Sequence, residues 1–314
     1  VPYLPDVHID QWLTNFSVGY SNTMLVGDDV FPVVPTDKLS NVYAIYGQES
    51  FKVYEDTRAP GTDALEIRYT LTRGTFLAQE HAIRTIVPDA FEMQADNPPL
   101  DPLIDATWEL TDTVRNQREY KQMAVATDPT QVTQNVTLSG TSLWSDYTNS
   151  TPLTNIRTAR SAVRAGVHRE ATDILFAFDV ALVLADHPSV KDLLKYTDPN
   201  NISSSGLPAT FRGLTTHVST ADKDSAGYLS GTTSFAPVMS KSALVYYRNP
   251  NLGKRSLTFG VTFEAPDQST GQRGQQIRRW RDEGKKSWWL EGSNTYTPKV
   301  IAALGAYLFV AAIA

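Results

Sequence analysis

The amino-acid sequence predicts an α+β protein with a mixed centre and long extended excursions. Three observations point there. One stretch alternates strictly, with Leu65, Ile67, Tyr69 and Leu71 set against Glu66, Arg68, Thr70 and Thr72, the period of a half-buried strand. Two other stretches, opening at Asp101 and Ser150, carry start signals followed by apolar residues at helical spacing. Finally, 18 Gly and 18 Pro punctuate 314 residues, which suits a chain with many turns.

Length and composition bound the possibilities. A chain of 314 residues makes about two domains, or one large body with excursions. It can bury roughly three-quarters of the surface it would expose unfolded. Hydrophobic residues at 41% and charged residues at 20% describe a globular protein. The net charge of −6 argues against a protein that coats nucleic acid with a basic surface. The absence of cysteine removes disulfides, thiol catalysis and thiolate metal sites. The first 30 residues have neither the basic start nor the apolar run of a secretory leader. A first residue of Val rather than Met is expected from a removed leader or from numbering that starts inside the gene product. The apolar end, Val300 to Ala314, is too short for a bilayer span of about 20 residues and reads as a buried strand.

Residues 1–46 read as an arm. Pro2, Pro5, Pro32 and Pro35 interrupt any periodicity, and Trp12, Phe16, Leu25, Val30 and Phe31 are scattered singly. Such a segment gains stability only by lying on another surface. Residues 47–80 read as a long hairpin with one apolar face, its turn chemistry at Pro60-Gly61. A two-stranded ribbon is marginal alone, so that face needs a partner.

Asp101-Pro102 then opens a helix to about Ala126, with Leu103, Ala106, Leu110 and Val114 on one face. Acidic residues fill its first half and basic residues its second, as the helix dipole favours. A second helix starts at Ser150-Thr151-Pro152, turns Ile156, Ala159 and Val163 inward, and ends at Gly166. Residues 173–178 read as a buried strand leading into helices over 180–187 and 189–197. Further strands are expected over 214–220, 243–248 and 256–265. Residues 267–276 read as a flexible tip from which 287–296 returns.

Motifs for chemistry are scarce. The five histidines (His8, His81, His168, His187, His217) are isolated, without ligand spacing. No nucleophile elbow or dinucleotide fingerprint occurs. The stretch NLGKRS at 251–256 resembles the end of a phosphate loop, but its upstream glycine position is Arg248. No catalytic, cofactor-binding or metal site is expected. Two basic features remain. Arg157, Arg160 and Arg164 form a stripe on the second helix, fitting either a solvated face or a contact for an acidic neighbour or nucleic acid. Residues 272–286 carry Arg273, Arg278, Arg279, Arg281, Lys285 and Lys286 around Trp280, a composition that suits intersubunit contact, open solvent or nucleic acid.

The order of these parts, with FPVVPTDK (31–38), RAPGTDA (58–64), IVPDAF (86–91), SLWSDY (142–147), HPSVKDLLKYT (187–197) and VYYRNPN (245–251), resembles the major capsid proteins of tailed bacteriophages, the HK97-like fold. The resemblance extends over nearly the whole chain. It implies an N-arm (1–46), an E-loop hairpin (47–80), and a P-domain in two parts (81–151 with the spine helix, 263–299 with the P-loop). An A-domain (152–262) and a last strand returning to it (300–314) complete the division.

The same resemblance implies a self-assembling, non-enzymatic structural protein. Hexamers and pentamers of it would form an icosahedral shell in the virion, around double-stranded DNA held without sequence-specific binding. Decoration, scaffold and portal proteins join it as partners, and no membrane does. A protein-cargo nanocompartment of encapsulin type is the alternative. The intersubunit contacts expected are Trp12, Phe16, Phe31, Phe51, Arg58, Leu65, Ile67 and Tyr69 on the arm and hairpin. Arg273, Arg278, Arg279, Trp280 and Arg281 are expected on the second basic segment. Lys52 is the only lysine in 47–80, yet no motif carries over the lysine–asparagine crosslink of some such shells.

Overall fold

The computed structural model describes residues 25–46, 51–54, 56–58, 60–68, 70–94, 101–195, 206–226, 231–253, 256–267 and 271–314. The described chain opens on a one-turn helix α1 (Gly27–Val30) and strand β1 (Val33–Pro35). Strands β2 (Ser40–Tyr46), β3 (Leu71–Leu77) and β4 (Gln79–Pro88) follow, then α2 (Asp89–Gln94) and α3 (Pro102–Ala126). Next come β5 (Asn135–Thr137), α4 (Pro152–Val167), β6 (Asp173–Ala177), α5 (Phe178–Asp186) and α6 (Pro188–Leu194). The remainder is mostly strand. Its first part is β7 (Thr210–Phe211), β8 (Leu214–Ser219), β9 (Asp222–Asp224), β10 (Phe235–Pro237) and β11 (Ala243–Tyr246). Its second part is β12 (Gly260–Glu264), β13 (Gln276–Asp282), β14 (Ser287–Val300) and β15 (Ala306–Val310).

The long helix forms where local chemistry puts it. The Asp101 carboxylate accepts from the Leu103 and Ile104 backbone N–H groups at 3.0 and 3.2 Å, with Pro102 in the first turn. Its predicted face lands on a five-stranded sheet, where Leu110 packs with Val87 and Leu290. Gly292 lies beneath: a Cβ there would come within 3.0 Å of Val114 and 3.1 Å of Leu110, so the helix sits almost on bare backbone. The sheet is organised by β14. Tyr296 pairs both with Gln79 of β4 and with Glu264 of β12, so β4 takes one edge while β13 and β12 share the other. β1 extends the sheet in parallel with β12.

A second sheet of six strands, in the order β5-β15-β11-β6-β8-β7, holds the main core. β6 and β11 are buried along their whole lengths, which is why their sequences run apolar without alternation. α4 covers this sheet with Ile156, Ala159 and Val163 fully buried. The C-terminal apolar stretch supplies β15, paired with β11 and β5. Trp144 closes the core, its ring 5.2 Å from that of Phe309.

Four local expectations differ from the structure. α4 does not end at Gly166 but at His168, which adopts the left-handed conformation (φ 55°). Gly166 serves close approach instead, since a Cβ there would lie 2.9 Å from the Leu304 carbonyl oxygen. The ribbon ladder runs over β2 and β3, with Tyr46 opposite Leu71 as its outermost pair. The alternating stretch before Leu71 has no strand among its described residues, because period-two alternation needs a backbone partner and the single chain offers none there. The strand expected from Ser256 begins only at Gly260. Lastly, the described residues of 267–275 are loop as expected, but the basic segment after them is strand β13, which turns back to β14 at Glu283–Lys286.

Candidate functional site

The ribbon is anchored at its base and bare beyond it. Phe76 stacks on Phe263 with ring centroids 4.0 Å apart, and Tyr43 lies 5.8 Å from the same ring. Further out, Val42, Ile45, Tyr46 and Leu71 are exposed, and so are Phe51, Val53, Leu65 and Ile67 of the connecting loop, with Val53 at 99%. Phe51 touches the His168 ring (4.6 Å) yet stays 63% exposed. A second apolar area lies at α2 and the start of α3, where Phe91, Met93, Ile104 and Trp108 are exposed, Trp108 at 73%. Apolar surface on this scale marks sites of association.

The contact residues expected from sequence fall into three groups. Trp12, Phe16 and Tyr69 lie outside the described residues. Phe51, Leu65 and Ile67 are exposed on the loop, and Arg58 there donates to the Thr62 carbonyl. Phe31 needs correction: it is fully buried in its own chain, 5.6 Å from the Phe259 ring. The physical reason is Gly260, whose missing side chain leaves the space that the Phe31 ring fills.

Strand β13 binds much of its own charge. Arg281 forms a two-pronged pair with Asp89, both contacts at 2.6 Å. Arg278 meets Asp267 at 2.5 Å, and Arg273 pairs with Asp37 while donating to the Thr36 carbonyl. Arg279 lies over the Trp288 ring at 5.5 Å, on the α3 side of the sheet. On the opposite face Trp280 stacks with Trp289 (6.4 Å), which also receives Arg84 at 4.6 Å. Arg273, Arg278 and Arg281 therefore fasten neighbouring segments of their own chain, leaving Arg279 and Trp280 outward.

Two polar clusters escaped sequence reading. In the first, the Glu119 carboxylate accepts the Val26 and Gly27 backbone N–H groups at 3.2 and 2.7 Å, 93 and 92 residues away. Burial pushes its proton affinity up. Arg118 beside it bridges Asp28 (2.8 Å) and Glu264 (3.2 Å). In the second, Arg248 pairs with Asp29 at 3.2 Å, and His217 meets buried Asp173 at 2.9 Å. Although burial opposes it, hydrogen bonds from His217 and Thr172 and the Arg248 charge hold the Asp173 carboxyl below its ordinary value. Together they fix α1 to both sheets. Among the described residues no group of three or more His, Asp and Glu side chains could hold a metal ion, and no helix is long and apolar enough to cross a membrane.

His187 is a third buried polar group, 3.1 Å from the Ser150 hydroxyl, and its ring accepts the Ser189 N–H as the N-cap of α6. Burial lowers its proton affinity. The unfolded chain takes up this proton as pH falls through about 6.5 while the folded chain does not. Stability is therefore full above that pH and declines as pH drops toward the lowered folded value. Urea midpoints at pH 7.5 and 5.5 should differ less in His187→Asn, which keeps a capping acceptor, than in the parent. Equal pH dependence in both would remove His187 from this role.

No family model matches the chain. Over 187 residues it is 29% identical to the major capsid protein of Pseudomonas phage JBD67, and over 192 residues 24% identical to that of Burkholderia phage BcepMu. These stretches cover 58% and 60% of the chain, and the chain spans about three-fifths of the relatives' length, 58% and 61%. Among solved structures, a phage-related protein from Bordetella bronchiseptica RB50 superposes with a TM-score of 0.67 at 22% identity, covering 96% of this chain and 97% of that one. The capsid of cyanophage P-SCSP1u gives 0.65 at 11% identity, covering 100% and 93%. The holo-encapsulin complex of Synechococcus elongatus PCC 7942 gives 0.54 at 12%, covering 95% and 92%.

Proposed function

We infer that this chain, a relative of phage major capsid proteins with the HK97-like α+β capsid fold, is the shell subunit of a tailed double-stranded DNA phage. Its activity is self-assembly rather than chemical turnover. Hexamers and pentamers of it close an icosahedral shell around the genome, and its place is the virion.

The observation that carries this reading is the ribbon loop, whose described residues Phe51, Val53, Leu65 and Ile67 are left exposed by their own chain. A neighbour's surface is the natural place for them, and the exposed area at Phe91, Met93, Ile104 and Trp108 is a matching apolar acceptor. Conventional interfaces bury about 1,600 Å², and several such contacts per subunit hold a shell without covalent bonds. In this reading residues 1–46 are the N-arm, 47–80 the E-loop, α3 the spine of the P-domain, and the six-stranded sheet the centre of the A-domain.

Negative-stain images of the purified protein should show closed particles of uniform size. A well-folded monomer by light scattering, at all concentrations, would overturn the proposal. Particles filled with protein rather than DNA would decide for the nanocompartment reading, whose structural likeness is the weaker one.

A further inference from the structure

The outer face of α4 differs in kind from the apolar surfaces described above, which reach it only where Phe51 meets the His168 ring. Arg157, Thr158, Ser161 and Arg164 are exposed along it, and His168 and Arg169 continue it past the helix end. None of the 16 residues of α4 is acidic, in a chain with 34 Asp and Glu against 28 Lys and Arg. Glu170, just past the helix end, meets Arg164 at 3.5 Å with both side chains mostly exposed, a weak pair.

A second element adds to this face. The two-residue turn between β7 and β8 holds Arg212 and Gly213 both at positive φ (54° and 79°). That turn presents the Arg212 carbonyl to Arg160 Nη1 at 2.7 Å, fixing the Arg160 guanidinium beside the helix. Thr154, Arg157, Arg160 and Arg212, together with Leu153 and Ile156, thereby line one depression of about 180 Å³.

We propose that this face binds the phosphate backbone of the nucleic acid enclosed by the shell, without reading its sequence; the proposal rests on the shell reading above. Arginine with serine and threonine hydroxyls is the side-chain set that contacts phosphate oxygens. Arg157 and Arg164, seven residues apart, share one face and stand about 10 Å apart along the axis at 1.5 Å per residue. An acidic protein segment is the competing occupant. However, the centre of a protein contact takes aromatic and apolar residues, and α4 exposes no large apolar side chain. A hydrated anionic polymer fits better.

The test compares the parent with Arg157→Gln/Arg164→Gln, both exposed changes, and with Glu170→Gln. Shells made in cells are treated with nuclease outside, opened, and their protected nucleic acid measured per subunit. Dissociated subunits are titrated with a labelled 20-bp duplex of arbitrary sequence between 50 and 200 mM salt. The double variant should form shells of parental size that retain several-fold less nucleic acid. Its log affinity should fall with log salt by about 1.8 less than the parent's, at about 0.9 for each phosphate no longer neutralised. Glu170→Gln should bind the duplex more tightly than the parent. Unchanged retention and slope in the double variant would overturn the assignment, as would polyglutamate binding as tightly as the duplex. Loss of shells in the double variant would assign α4 to contact between copies and overturn it too. If the parent itself forms no shells, the shell reading fails, while the duplex titration still judges α4.

Discussion

Replacing residues 47–70 with an Asn-Gly turn should abolish closed particles while leaving a folded, soluble subunit. The ladder makes this a clean cut. Tyr46 and Leu71 are its outermost pair, and a two-residue turn with both φ values positive closes such a pair without disturbing the twist. What is removed is a loop whose Phe51, Val53, Leu65 and Ile67 are exposed in the single subunit, so little folding stability goes with it. The effect on a neighbour is larger. Each of those side chains contributes roughly 1.5–3 kcal/mol when fully buried, and every 1.4 kcal/mol is about a factor of ten in affinity. Four of them per subunit, repeated around a closed shell, outweigh any concentration normally reached. Sedimentation should show only monomers or small oligomers, with a thermal midpoint within a few degrees of the parent's. Normal shells from this variant would end the loop's assigned role. A subunit that no longer folds would show that the loop supports its own chain.

How far the sequence discloses this protein depends on the range over which each signal acts. α3 was legible to the residue because its start is local chemistry, Asp101 capping two N–H groups and Pro102 occupying the first turn. β6 and β11 were legible because central strands run apolar without interruption. The ribbon was legible as a ribbon but displaced, since alternation at 65–72 marks a preference for pairing and not the presence of a partner. Among the contact residues, exposure of Phe51, Leu65 and Ile67 follows the sequence reading, whereas Arg281 and Arg278 are committed to Asp89 and Asp267. The clusters around Glu119 and Asp173 left no local trace. Their members come from α1, α3, β6, β8, β12 and the segment after β11, joined only by the tertiary fold. A buried glutamate in the middle of an otherwise amphipathic helix was the one available hint, and its partners are backbone N–H groups that carry no sequence signature at all.

Phe31 separates the subunit's own stability from that of the assembly. Composition suggests an arm that lies on a neighbour, but the ring is buried against Phe259 and the backbone of Gly260, where even a Cβ would overlap it. Phe31→Ala therefore opens a cavity inside one chain, which typically costs about 3–5 kcal/mol. The change should also loosen α1, which Phe31 follows directly and whose first turn is held by the Glu119 carboxylate through the Val26 and Gly27 N–H groups. Urea unfolding of unassembled subunits should show a stability lowered by that amount, and limited proteolysis should cut between residues 25 and 36 where the parent resists. The opposite result would be equally informative. An unaffected subunit that no longer forms shells would place Phe31 in a contact between copies, and would mean that the arm leaves its own body before residue 31 rather than after it.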